Sequence, residues 1–223
     1  MVPGEVPQIV KQVVESLSGE ILRSLDFYLA TSGEKAIDRI FIAGGTANKE
    51  TYVVEASPAP GLLTAVRLEA LPDDSLPAKS LGRASNGNFV LSAFEVRLRT
   101  ADGKTTNLPL TKAEADFDQP GWSIAKLGPA PMTKGKAKKA DNTRAGWAIG
   151  GHVAENRVPR KAIFTVAPTQ IPAGAKLIVV MRHEAVAQHS IGRFRLNTSS
   201  LDPKLLSLKT DAAAEAEIGR AHV

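Results

Sequence analysis

Hydrophobic and polar positions alternate most regularly in NGNFVLSAFEVRLRT, residues 86–100. Phe89 and Leu91 share one parity. After Ser92 and Ala93 the apolar set resumes one residue out of phase, on Phe94, Val96 and Leu98, with Glu95, Arg97 and Arg99 opposite. A period of two marks a half-buried strand. The phase slip predicts a β-bulge at 92–93, and Asn86-Gly87 supplies a turn ahead of the strand. Similar runs at 51–56, 62–71, 106–116, 123–127, 147–149, 161–169, 176–184 and 191–198 predict further strands. In 62–71, Leu62, Val66, Leu68 and Ala70 share a face against Arg67 and Glu69. In 161–169, Ala162, Phe164 and Val166 point inward; in 191–198, Phe194 and Leu196 do so while Arg193 and Arg195 point outward. The 177–181 run is apolar on both faces, as a central strand is. Prolines 72, 77, 120, 129, 131, 159, 168 and 172 fall between or at the ends of runs, where they harm a sheet least. About nine such strands, with no strong helix among them, predict a mainly β chain built as an antiparallel β-sandwich or jelly roll.

The first 48 residues have another texture. Val10, Val13, Val14, Leu17, Ile21, Leu25, Tyr28 and Leu29 step by three and four, predicting an amphipathic helix over 6–29. IDRIFI, 37–42, reads as a short strand ending at Gly44-Gly45. One helix and one strand bury too little surface to fold alone. The predicted organisation is a short α/β fragment over 1–48, a sandwich over 49–203, and a truncated tail over 204–223, either a loose helix or disordered.

Composition narrows the function classes. The chain of 223 residues is 43% hydrophobic and 23% charged, enough for a globular core. It contains no cysteine, which excludes disulfides, thiolate metal sites and cysteine nucleophiles. No apolar run reaches the ~20 residues that span a bilayer. MVPGEVPQIV lacks the features of a signal peptide, so export of the parent protein requires a signal outside this sequence. Lys and Arg number 28 against 23 Asp and Glu, a net charge of +5. Part of the excess sits on Lys134, Lys136, Lys138 and Lys139 in the long break at 128–145. Nucleic-acid binding calls for basic residues interleaved with aromatics or a recognition motif. The lysines have neither, and read as a solvated loop rather than a phosphate-binding patch.

Two stretches carry family resemblances. RSLDFYLATSG followed by DRIFIAGGTAN, within residues 9–48, resembles the C-terminal region of actin-like type IV pilus assembly proteins of the PilM type. That resemblance implies a nucleotide approached by Gly44, Gly45 and Thr46, because glycine lets backbone come close to a ligand. The phosphate loops and metal-holding acid of that fold have no counterpart in this sequence. The second resemblance rests on KETYVVEA, LTAVRLEALPDDSLP, GRASNGNFVLSAFEV, AEADFDQPGWSIAK, GWAIGG and QHSIGRFRLN, in this order over 49–203. Together they resemble a module of large planctomycete surface proteins that also carry a cytochrome-c-like haem domain, which this chain lacks. The module is similar to galactose-binding or discoidin-like jelly rolls, which implies a non-catalytic unit that binds carbohydrate through loops at one end.

In discoidin-like loops an Asp-Gly-Asn stretch ahead of Gly-Trp helps hold calcium. The matching residues here run from 140 to 147, with Ala140 where the Asp falls, so Asp141 and Asn142 are left as oxygen donors. Calcium wants six to eight oxygens, and no cofactor is expected. Trp147 reads as a core residue at a strand start; Trp122, after Pro120-Gly121, is the better sugar-stacking platform. Glu114, Asp116 and Asp118 share a parity and so a strand face. His189, Arg193 and Arg195 form a second such row. One row cannot supply the two facing carboxylates of a glycosidase. No Ser-His-Asp order, His-Glu-x-x-His, phosphate loop or dinucleotide fingerprint occurs. The chain therefore reads as a non-catalytic ligand-binding or structural module, carbohydrate being the leading ligand class, with Trp122, Asn142, Trp147, His189 and Arg193 as ligand-binding candidates; the alternatives are a fragment of an ATP-binding pilus assembly protein and nucleic-acid binding through Lys134–Lys139.

The two resemblances meet at Asn48-Lys49 with no Gly/Ser or Pro-rich spacer, whereas natural fusions join whole domains through linkers. The final EIGRAHV, 217–223, resembles translated sequencing-library adapter. Both features are expected of a chimeric reading frame; an intact gene amplified across the join would refute it.

Overall fold

The computed structural model describes residues 48–129 and 142–208. The α/β fragment expected over 1–48, most of the lysine-rich loop and the end of the tail lie outside the described residues.

The described chain is a β-sandwich of two four-stranded antiparallel sheets. Sheet I contains β1 (Glu50–Ala56), β11 (Lys176–His183), β4 (Ala93–Arg99) and β5 (Thr105–Leu108), in that spatial order. Sheet II contains β12 (Arg193–Ser199), β2 (Gly61–Leu71), β10 (Arg160–Ile171) and β6 (Leu110–Ala115). Small pairs flank them: β3 (Val90–Leu91) with β9 (Trp147–Ala148), antiparallel, and β7 (Trp122–Ser123) with β8 (Arg144–Ala145), parallel. The core lies between the sheets. Val66, Leu68, Phe164, Val166, Phe94, Val96, Leu177, Val179 and Met181 are all buried. Period-two alternation explains these strands: β4 buries Phe94, Val96 and Leu98 and leaves Glu95, Arg97 and Arg99 on the outer face. β11 is interior to sheet I, and Ile178 and Val180 on its outer side are buried too, as its apolar run predicts.

The structure departs from the pattern reading at points where the chain changes partner. The slip at 92–93 is a change of sheet pairing. Val90 and Leu91 pair with β9, whereas from Ala93 the strand pairs with β11. Ser92 pins the break: its backbone N–H and hydroxyl both donate to the Arg182 carbonyl, at 2.7 and 2.9 Å. The run 106–116 is two strands, because at Pro109 it leaves sheet I for sheet II. The strand expected at 123–127 is a 3₁₀ turn over Ile124–Leu127. Ile124 and Leu127, three apart, both face the core, and three is the 3₁₀ period. Leu62 points outward and Leu63 inward. The cause is a register shift against β10 between Thr165 and Thr169, where Pro168 sits in the irregularity. The tail forms one 3₁₀ turn at Pro203–Leu205, capped by Asp202.

The registers also fix which loops share an end. Connections 57–60, 100–104 and 172–175 are short and lie at one end of the sandwich. The long connections, 72–89, 116–129 with 142–159, and 184–192, leave from the other.

Candidate functional site

The loop-rich end is built on a buried aromatic and amide floor. Phe89 and Trp147 meet edge to face, centroids 5.0 Å apart, and the Trp147 indole N–H donates to the Phe117 carbonyl at 2.9 Å. Trp147 is fully buried, which removes it from any ligand surface. Above this floor Asn88 and Gln119 stitch three loops. Asn88 Oδ1 accepts the backbone N–H groups of Ile149 and Gly151, both at 3.3 Å, and Asn88 Nδ2 donates to Gln119 Oε1 at 2.9 Å. Gln119 Oε1 also accepts the Gly150 N–H at 2.8 Å. The close approach depends on glycine. A Cβ on Gly151 would lie 2.3 Å from the Gly87 carbonyl oxygen, and one on Gly82 1.9 Å from that of Asn88. Ala78, Lys79 and Gln188, with φ of 56°, 51° and 62°, are non-glycine residues in the left-handed region, and all three lie in loops at this end.

Trp122 stands at one corner of this end, half-buried. The Arg144 guanidinium lies 5.5 Å from its ring centroid, a cation–π contact held by the β7–β8 pairing of these same two residues. Gly146 makes room for the ring: a Cβ there would sit 2.9 Å from Trp122 Cε3. Asn142, two residues before Arg144, is exposed. The structure thus brings Trp122 and the 142–144 segment together; Arg144, missed by sequence reasoning, has no periodic signal to reveal it.

His189 and Arg193 belong to another part of the same end. The His189 ring Nδ1 lies 2.7 Å from the Ala187 carbonyl, in the 184–192 loop. Arg193 starts β12 and pairs with Asp73 at 3.3 Å. The supposed row of His189, Arg193 and Arg195 does not form, because His189 precedes the strand. Glu114, Asp116 and Asp118 likewise do not share a face. β6 ends at Ala115, after which Asp116 accepts the Lys161 N–H and Asp118 that of Ile124. Gly44, Gly45, Thr46, Asp141 and Lys134 to Lys139 lie outside the described residues.

A second cluster was not legible from spacing. Glu50, Tyr52 and His183 occupy the inner face of sheet I where β1 and β11 meet this end, with Glu50 directly opposite His183. The rings of Tyr52 and His183 are 4.9 Å apart, and Phe194 from sheet II stacks on Tyr52 at 5.9 Å. The Tyr52 hydroxyl lies 2.9 Å from both Glu50 Oε2 and the Ile191 carbonyl. Burial, with Glu50 adding to it, pushes the Tyr52 phenol up to about 12. Burial pulls the His183 imidazole down to about 4 against the opposing pull of Glu50. Both side chains are therefore neutral near pH 7.

Among the described residues, no group of three or more His, Asp or Glu is placed to hold a metal ion, and no helix is long and apolar enough to cross a membrane. Comparison with known proteins finds no matching family model, no similar curated protein and no similar solved structure.

Proposed function

We propose that the sandwich is a non-catalytic ligand-binding module whose binding surface is its loop-rich end, and that its ligand is a carbohydrate. The observation carrying this reading is the Trp122 corner. A half-buried indole is held there by glycine packing and pairing beside the Arg144 guanidinium, and exposed Asn142 lies two residues before Arg144 in the chain. An aromatic ring offers the apolar face of a sugar a flat platform. Arg144 and Asn142 supply donors and acceptors for its hydroxyls. The rigid Asn88–Gln119 floor beneath keeps the loops in place, which lowers the ordering cost of binding. The resemblance of residues 49–203 to galactose-binding-like modules supports the same reading.

A glycan array probed with the full chain, followed by calorimetry on any hit, tests it. Binding that Trp122→Ala reduces at least tenfold, with the fold intact, is the expected result. No hit on the array, or a hit indifferent to Trp122, overturns it.

A further inference from the structure

We propose that residues 200–208 form a releasable strap, latched by Glu114, across the outer face of sheet II. This is separate from the loop-rich end. After β12 the chain turns at Ser199–Asp202, where the Leu201 N–H donates to Ser199 Oγ and the Lys204 N–H to Asp202 Oδ1. It then reaches the opposite edge of the sheet. The Ser207 hydroxyl and the Leu208 backbone N–H both donate to Glu114 Oε1, at 3.0 and 2.9 Å. Glu114 is on β6, and its neighbours Ala113 and Ala115 face the core, so its own side chain faces outward. In sheet order β12 and β6 are the two edges, three strand spacings apart, or about 14 Å. The short way between them is over the outer face.

The outer face is buried along the line from Ser199 to Glu114. Ala65, Ile163 and Thr165 alternate with the inward residues Val66, Ala162, Phe164 and Val166, yet they are 1%, 8% and 3% exposed. Ser199 lies in register with Ala65, which pairs with Thr165, and Ile163 pairs with Glu114. The outer face of an antiparallel sandwich is ordinarily solvated. Here Ala65, Ile163 and Thr165 are buried between Ser199, where the strap begins, and Glu114, where it is latched. The latch is a single carboxylate, which also pairs with Lys112. Burial alone would raise the Glu114 carboxyl, but Lys112, the Leu208 N–H and the Ser207 hydroxyl together hold it below its ordinary value, and so ionised at neutral pH. Beneath the strap the Thr165 hydroxyl is buried with no hydrogen-bond partner. Water would satisfy it, which favours opening.

The natural absence of cysteine gives a direct test. Thr165→Cys in the full chain places a single thiol under the strap, and its rate of reaction with a thiol reagent reports opening. The thiol should react far more slowly than an exposed one. Adding Glu114→Ala, or Leu208→Pro, should speed it at least tenfold while far-UV circular dichroism and a cooperative melt show the sandwich still folded. Leu208→Pro removes one latching N–H without touching the sheet, and stands as the test if Glu114→Ala fails to fold. A thiol that reacts at the exposed rate in the parent, or a slow rate unchanged by the folded variants, overturns the proposal.

Discussion

Phe94 of sheet I stacks face to face on Phe164 of sheet II, with ring centroids 3.7 Å apart and planes within 6°. This contact joins an interior strand of one sheet to an interior strand of the other, and both rings are buried. Phe164→Ala would leave a cavity that neither sheet can close without shifting. It should cost about 3–5 kcal/mol, read as a lowered midpoint with unchanged slope in urea unfolding. A loss under about 1 kcal/mol would mean that the sheets are not pinned there.

His183 should make the protein acid-sensitive. Its folded pKa, about 4, lies below the ordinary value of 6.5 because the buried ring is kept neutral. The unfolded chain therefore binds more protons between those values. Stability is full above pH 6.5 and falls as pH drops toward 4, by up to about 3 kcal/mol from this group. Denaturant midpoints measured from pH 7.5 to 4 should show that slope, and His183→Leu should flatten it.

Tyr52 should act at the other extreme. Its folded pKa of about 12 lies above the usual 10, so its contribution is full below pH 10 and is lost as pH rises toward 12. Tyr52→Phe should remove that alkaline loss. At pH 7 it should cost about 1 kcal/mol for the hydroxyl's hydrogen bond; thermal melts at pH 7 and 10.5 separate the two effects.

Asn88→Ala should loosen the loop-rich end. Two buried backbone donors, Ile149 and Gly151, share the Asn88 carbonyl oxygen. Leaving them unpaired should cost about 2–4 kcal/mol. Hydrogen exchange should show the loss in 147–151 and spare β10 and β11. Equal loss across both sheets would show the node to be part of the global core.

The two tryptophans should separate in fluorescence. Trp147 is fully buried and Trp122 half-exposed. Trp122→Phe should leave a blue-shifted emission that acrylamide quenches poorly, and Trp147→Phe a red-shifted, readily quenched one. If the ligand stacks on Trp122, only the second variant responds to it.

The sequence by itself determined the class of fold and most inward faces. Ala162, Phe164 and Val166, Phe94, Val96 and Leu98, and the two-sided run of β11 follow from side chains that alternate every residue, a local rule readable from spacing. Tertiary structure alone decided partners. Nothing local tells Ser92 or Pro109 that the chain will change sheets there, since the partners Arg182 and Val166 lie far along the chain. The same holds for function. Trp122 was legible as a loop aromatic, but the Arg144 over it, the Glu50–Tyr52–His183 cluster and the Glu114 latch each join residues remote in sequence. Spacing reports which face a side chain takes; only the packed sheets decide what it meets there.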